Sequence, residues 1–482
     1  MRSDSHDFHA IIQVVNDALQ SYLSESKIGE IKIGNQIPAS NLADKLQVKK
    51  WISEGGLNSK NVREFLDPYL THSQRMHHPH YIGHQVSVPH LASGVSDFIH
   101  GAINNPMAIY EMGPSAAVIE KAMVNWLLSK VGWLPHGDIT EFSDIEGNGT
   151  GVFTHGGSMA NLTALLAARA KVSPEAWNEG NDPDVIVIGS DVAHYSVERA
   201  ISIMGMGKNN LWKVAVDKDE RMIPEELAKQ IVKSKAAGKK IMCVVANACA
   251  TSTGLYDPIE EIALICQKHD IWFHVDGAHG ASALLCPTER HFMKGAELSN
   301  SMIWDTHKML RTTTLAAAVL FKDPNDMFGA FQQKGSYLFH DKENLGFDLM
   351  PYTIECTKAP LATKLFWVLA AEGEKGLSDF VQGRYEVTRE MHDWFVDQED
   401  FECPYYPEAN ILCFRYSKLD QSNAYQLNIR NNLVTKGNFY ITSSEIANVR
   451  YLRMTVINPD TDVNHIKALA QEIRAIATGL VH

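Results

Sequence analysis

Two residues of this chain have types and surroundings that suit carbonyl chemistry. Lys308 lies in Trp304-Asp305-Thr306-His307-Lys308-Met309, and upstream of it Asp276 ends the apolar run Ile271-Trp272-Phe273-His274-Val275-Asp276. A lysine amine can condense with an aldehyde to form a Schiff base. A carboxylate at a strand end can hold a protonated pyridine nitrogen and so keep an aromatic ring cationic and electron-withdrawing. A lone Lys–Asp pair is more often structural, so the rest of the chain must decide between the two readings.

The same chemistry needs a place for an anion. Gly151-Val152-Phe153-Thr154-His155-Gly156-Gly157-Ser158 runs directly into Met159-Ala160-Asn161-Leu162-Thr163-Ala164-Leu165-Leu166. The apolar residues at 159, 162, 165 and 166 have helical spacing. Glycines before a helix let the backbone approach a ligand closely, and the N–H groups and dipole of the helix favour a phosphate there. Ser158 either caps the helix or gives its hydroxyl to phosphate. Taken alone, an ordinary serine cap after a glycine turn is the plainer account. Together, the lysine, the carboxylate and the phosphate loop meet the needs of pyridoxal phosphate (PLP). His194 follows Asp184-Val185-Ile186-Val187-Ile188-Gly189, which reads as a short buried strand. It lies where open α/β sheets bind ligands, and there its ring could stack on a flat cofactor.

These groups need a scaffold in which several strand ends meet. From about 86 to 370, short apolar runs alternate with helical stretches, which predicts a mostly parallel sheet covered by helices. Ile241-Met242-Cys243-Val244-Val245-Ala246 is one such strand. Asp257-Pro258-Ile259-Glu260 reads as a helix start, with Asp257 as N-cap and Pro258 at the first helical position. Residues 378–396 read as a helix through Phe380, Val387, Met391, Trp394 and Phe395. The expected organisation is an N-terminal helical arm over 1–85, a large PLP-binding α/β domain over 86–370 and a smaller C-terminal α/β domain over 371–482.

In chain order, the Gly/Ser loop, Ala193-His194-Tyr195-Ser196, Val275-Asp276-Gly277-Ala278 and His307-Lys308 resemble the blocks of the group II PLP-dependent amino-acid decarboxylases. The resemblance runs from about His78 to about Ile476. That family includes glutamate, cysteine sulfinate, aromatic amino-acid and 2,4-diaminobutyrate decarboxylases. The resemblance implies PLP fold type I, the aspartate-aminotransferase-like architecture, and α-decarboxylation of an L-amino acid to its amine and CO₂. Carried over by position, Lys308 is the Schiff-base lysine, Asp276 the pyridinium partner and His194 the ring-stacking histidine. Gly157, Ser158 and His307 would contact phosphate. Ala278 would pack on the opposite ring face, and Thr251, beside Ser252, would touch the ring oxygen.

Other matches bear on the substrate. Tyr451-Leu452-Arg453-Met454-Thr455-Val456-Ile457-Asn458-Pro459 resembles the C-terminal segment of the glutamate-type branch, where an arginine binds the substrate α-carboxylate. Arg453 falls on that position, and a guanidinium fork matches a carboxylate. A strand arginine paired with a surface acid is the alternative. His78-Pro79-His80-Tyr81-Ile82-Gly83-His84 and Asn104-Asn105-Pro106-Met107-Ala108-Ile109-Tyr110-Glu111 match stretches that line the substrate pocket from the partner subunit in relatives. Tyr81, His84 and Tyr110 are thereby nominated for substrate binding, in a homodimer with shared sites. The branch implies a small polar substrate, acidic or diamino.

The chain departs from the family pattern in places. Asp305 stands where many relatives carry Asn. A carboxylate would repel phosphate, so Asp305 is expected to face elsewhere. His279 replaces a frequent aromatic. Gly335-Ser336-Tyr337-Leu338-Phe339-His340-Asp341 resembles the start of a catalytic loop whose tyrosine protonates the carbanion. Counting back from Glu355-Cys356-Thr357-Lys358 puts Phe347 at that tyrosine, while a shorter loop puts Tyr352 there. A phenylalanine cannot donate a proton. An aldehyde-forming oxidative deamination or a carbon–carbon lyase reaction is therefore the alternative activity.

Composition narrows the class. The 482 residues are 45% apolar and 21% charged, as in soluble globular proteins with a large core. A net charge of −13 argues against nucleic acid and acidic membrane surfaces as partners. Seven scattered cysteines without a CxxC pair imply reduced thiols and a cytoplasmic location. The first residues lack the apolar core of a signal peptide, and no apolar run approaches the roughly 20 residues of a membrane span. His72, His77, His78, His80, His84 and His90 cluster without a nearby cysteine or an HExxH, so no metal is expected. One or two of them are expected to reach a substrate pocket and the others to be solvated.

Overall fold

The computed structural model describes residues 5–134, 138–140, 147–331 and 346–480. They form two units. One comprises Gln85–Thr388 and Tyr405–Ile411, the other Met1–His84, Arg389–Pro404 and Leu412–His482.

The apolar runs of the first unit assemble into one seven-stranded sheet. Its strands are β1 (Thr150–Thr154), β2 (Val185–Ser190), β3 (Leu211–Val214), β4 (Lys240–Asn247), β5 (Phe273–Asp276), β6 (Ser301–Trp304) and β7 (Ala317–Phe321). Their order is β1-β7-β6-β5-β4-β2-β3. Only β7 runs against the others, antiparallel to both β1 and β6. Every residue of β1, β2, β5, β6 and β7 is buried. That explains why these strands read as continuous apolar runs, since helices cover both faces of a parallel sheet. Register carries the chemistry to one edge. Asn247 at the end of β4 pairs with Asp276 at the end of β5, and Asp276 also pairs with Ile303 in β6. Lys308 follows β6 by four residues.

Several local expectations change. Gly151–Thr154 belongs to β1, so the phosphate loop itself is only His155 and Gly156 before the helix Gly157–Val172. Asp257 does not cap the helix Ile259–His269, which has no side-chain cap. Its carboxylate instead accepts the N–H groups of Met222 at 2.8 Å and Asn247 at 2.7 Å, tying the end of β4 in place. The helix expected over 378–396 begins at Leu361 and runs to Val396, interrupted at Gly373, whose φ is +69°. Residues 335–341, the start of the proposed catalytic loop, lie outside the described residues.

A buried ion pair anchors the segment that follows that loop. Lys358 Nζ donates to Glu120 Oε2 at 2.8 Å and to the Phe153 carbonyl at 2.6 Å. Glu120 Oε1 accepts the Phe153 N–H at 2.9 Å. Both side chains are at most 1% exposed. Removing one partner strands a charge, at a cost of about 3–5 kcal/mol. Lys358→Ala should lose that much in denaturant unfolding, while an apolar pair such as Glu120→Leu with Lys358→Met should lose far less.

The second unit contains the helices Ser5–Ile28 and Val62–His72 and a four-stranded sheet. That sheet consists of β8 (Phe401–Glu402), β9 (Ile411–Tyr416), β10 (Thr442–Ile446) and β11 (Val449–Thr455), in the order β10-β11-β9-β8. The histidine cluster is less solvated than expected. His78 is fully buried, with Nε2 on the Ile31 carbonyl at 2.9 Å. His80 bonds the Asn438 carbonyl, and burial pushes it down to about 4. Among the described residues no helix is long and apolar enough to cross a membrane.

Candidate active site

The sheet's carboxyl edge opens on a cavity of about 370 Å³. Gly157, Ser158, His194, Thr251, Asp276, Ala278, His307 and Lys308 all stand on its wall. Parallel strands explain the convergence, because their carboxyl ends and following turns share one side of the sheet. Each side chain is held by a local device. The helix Gly157–Val172 starts without any side-chain cap, and Gly156 before it adopts φ +91°. Ser158 therefore does not serve as the cap, and the first N–H groups of the helix are left for an anion. His194 precedes the helix Tyr195–Ile203 and accepts at Nδ1 from Ser196. Of the neighbouring hydroxyls, Thr251 is on the cavity wall, whereas Ser252 donates to Glu220 at 2.9 Å.

Asp276 accepts the Ala278 N–H at 3.2 Å through Oδ1 and the Asn161 amide at 2.9 Å through Oδ2. His307 donates Nδ1–H to the Ala316 carbonyl at 2.7 Å, which fixes its ring. Lys308 Nζ sits 3.2 Å from Asp305 Oδ2. Burial lowers the pKa of His194, with the Lys308 and Arg199 charges adding to the effect and those of Asp276 and Asp305 opposing it. The ring is therefore neutral near pH 7, the form that stacks without carrying a charge into the cavity.

Asp305 is the clearest departure from expectation. It does not face away from the loop but packs on Gly157, where an added Cβ would meet its carboxylate oxygens at 2.8 and 2.9 Å. Its Oδ1 is buried and finds no hydrogen-bond partner among the described residues. A glycine at 157 is what lets this carboxylate stand against the loop. Asn161, Ser196, Asn247 and His155 also line the cavity; Ser196 and His155 lie inside the motif blocks, whereas neither spacing nor motif singles out Asn161 and Asn247. His155 Nδ1 lies 2.6 Å from Glu355.

The residues nominated for substrate divide between the units. Tyr110, in the first, is not on this cavity's wall. It packs against Phe347 at 5.9 Å, and its N–H donates to Asp348 at 2.8 Å. Tyr352 packs on Phe328 at 5.0 Å. In the second unit, Tyr81 stacks on Tyr440 at 5.4 Å and His84 reaches the Tyr440 hydroxyl at 3.1 Å. Arg453 Nη1 donates to the Gly83 carbonyl and the Thr442 hydroxyl, both at 3.3 Å. Desolvation, then the positive charges of Arg453 and Arg430, lower the pKa of His84. These residues form one electropositive cluster that no single motif announces.

The pattern of the pyridoxal-dependent decarboxylase conserved domain matches residues 57–417. The chain belongs to that family. The decarboxylase is 29% identical to the human acidic amino acid decarboxylase GADL1 over 438 residues, which cover 87% of this chain and 82% of that protein. It is 26% identical to L-2,4-diaminobutyrate decarboxylase of Acinetobacter baumannii over 492 residues, covering 98% and 93%. Its fold matches the crystal structure of mouse CSAD with a TM-score of 0.88 at 24% identity, covering 97% of this chain and 98% of that one. The decarboxylase is thus a PLP-dependent carboxy-lyase of fold type I. Its cavity fits the cofactor in its lysine, its strand-end carboxylate and its helix start, while Asp305, standing against Gly157 with its charge offset by Lys308 at 3.2 Å, opposes an anion there. The cavity offers an uncapped helix start for phosphate, a lysine amine on the wall and a carboxylate fixed by two N–H donors.

Proposed function

We propose that this decarboxylase removes the α-carboxylate of a small polar L-amino acid, acidic or diamino, through the cavity built on Lys308 and Asp276. The observation that carries the reading is the meeting of Lys308, Asp276, His194 and the uncapped helix start in one cavity. PLP, when bound, supplies an aldehyde for amines and a cationic ring that takes up the electron pair left behind by CO₂. Lys308 would hold the aldehyde end, and the N–H groups at Gly157 and Ser158, with His307, would hold the phosphate. Asp276, an acceptor on both oxygens, would keep a proton on the ring nitrogen. Neutral His194 would cover one ring face and Ala278 the other, with Thr251 at the ring oxygen. Arg453 would grip the substrate carboxylate, and Tyr81, His84 and Tyr110 would border the substrate. The positive charge felt by His84 supports an anion beside Arg453.

A panel of L-amino acids (Asp, Glu, cysteine sulfinate, 2,4-diaminobutyrate, Tyr and Lys) assayed for CO₂, amine, aldehyde and peroxide tests this. Equal CO₂ and amine from a small polar member is expected. Aldehyde with ammonia and peroxide would favour the oxidative alternative, which Phe347, a residue unable to give a proton, keeps open. Turnover of Tyr alone would refute the substrate class.

A homodimer and a cytoplasmic location belong to the same proposal. The helix Leu91–Ile103 exposes Leu91, Val95, Phe98, Ile99 and Ile103. Their spacing makes one apolar face, of the kind that marks an interface. A second copy of this chain is the occupant proposed. Phe98→Asp with Ile99→Asp should halve the sedimenting mass and abolish activity, and an unchanged mass would refute that interface. All seven cysteines are free thiols, which supports a reducing compartment. Recovery of the protein with exported markers on cell fractionation would refute the cytoplasm.

A further inference from the structure

Behind the cavity wall, buried side chains form one directed hydrogen-bond chain. An ionised Asp276 can only accept. Asn161 must therefore turn its NH₂ group that way, and Nδ2 serves both Asp276 Oδ2 at 2.9 Å and Ser196 Oγ at 2.8 Å. The amide oxygen then faces His274 Nε2 at 2.9 Å, so that nitrogen carries the proton. Burial pushes His274 down to about 4, so its ring is neutral and Nδ1 accepts from Ser301 Oγ at 2.8 Å. Ser301 in turn accepts Trp272 Nε1–H at 3.0 Å. At the other end, Ser196 has accepted from Asn161 and gives its own hydroxyl proton to His194 Nδ1 at 2.7 Å, where its backbone N–H also donates at 3.3 Å. Asn161, Ser196, His274 and Ser301 are each at most 1% exposed.

We propose that Asn161 is a positioning residue: its one amide fixes the Asp276 carboxylate and, through the Ser196 hydroxyl, the orientation of the His194 ring, while His274 and Ser301 fix the direction of the amide. Asn161 also lies in the second turn of the helix that begins at the phosphate loop. It therefore ties three expected cofactor contacts into one frame before any cofactor binds. Both amide hydrogens are committed and the oxygen is committed, so the amide has no second orientation of similar energy. The inference rests on the reading of Asp276 and His194 as ring contacts.

The test uses holoenzyme loaded with PLP labelled with ¹⁵N in the ring. Asn161→Asp keeps the shape but removes both donors and faces Asp276 with a second carboxylate. Its ring-nitrogen resonance should move away from the wild-type position, and kcat should fall about 10–100-fold, the loss usual for such an outer partner, with KM changing less than about three-fold. Ser196→Ala, a smaller cut, should alter the circular dichroism of the bound cofactor and weaken its binding several-fold. Asp276→Asn is the control. If it leaves the nitrogen signal and kcat unchanged, the reading of Asp276 has failed. If it disrupts both while Asn161→Asp and Ser196→Ala match wild type, only the positioning role of Asn161 is overturned.

Discussion

Lys308→Ala lowers kcat by roughly a thousand-fold or more, the scale seen when a covalent catalytic group is removed, and takes away the visible absorption of the holoenzyme. A thousand-fold loss corresponds to about 4 kcal/mol of activation free energy. The fold should survive, because the side chain stands on a cavity wall and its ion pair is with Asp305 at 3.2 Å. Lys308→Arg separates the two accounts of this residue. It keeps the charge beside Asp305 but cannot condense with the aldehyde. If Arg restores activity, Lys308 serves only as a cation. The covalent account requires both variants to be equally inactive in steady-state CO₂ release.

Asp276→Asn should cost about 10²–10³ in kcat, as the loss of one preorganised electrostatic contact does elsewhere. The substitution keeps the shape but not the polarity. Asp276 now receives N–H groups from Ala278 and Asn161 on its two oxygens. An amide there must turn its own NH₂ toward one of those donors, so at least one contact becomes a repulsion. The hold on a protonated ring nitrogen proposed for it would go as well, since an amide has no net charge to offer. KM should change little, because the groups proposed to hold the substrate carboxylate and side chain are other residues. Stopped-flow spectra across pH would report the ring nitrogen directly. A wild-type kcat for Asp276→Asn would remove the carboxylate from the mechanism.

The sequence disclosed the cavity because its parts have local signatures. A β-rich run ending in Asp276, a glycine turn before a helix and a His-Lys pair after a strand can each be read within a dozen residues. The parallel sheet does the remaining work by bringing strand ends to one side. What stayed hidden depends on contacts between distant residues. Asn161 reads as one polar residue in a helical stripe until His274 and Asp276, more than a hundred residues away, are seen on either side of its amide. Asp257 looked like a helix cap because Pro258 follows it, yet it is claimed by Met222 and Asn247. Repulsion of a phosphate alone turns Asp305 away from the loop, but the attraction of the Lys308 amine and the space left by Gly157 hold it there. The cluster of Arg453, His84 and Tyr440 joins segments from opposite ends of the chain, and only the register of β10 against β11 brings Thr442 across from Arg453.

Borohydride reduction of the holoenzyme, followed by proteolysis and mass spectrometry of the peptides, goes to the root of the account. A single phosphopyridoxyl group on the peptide containing Lys308, absent when substrate is added in excess before reduction, is the predicted result. A label on any other lysine, or none at all from a preparation that still releases CO₂, would contradict it.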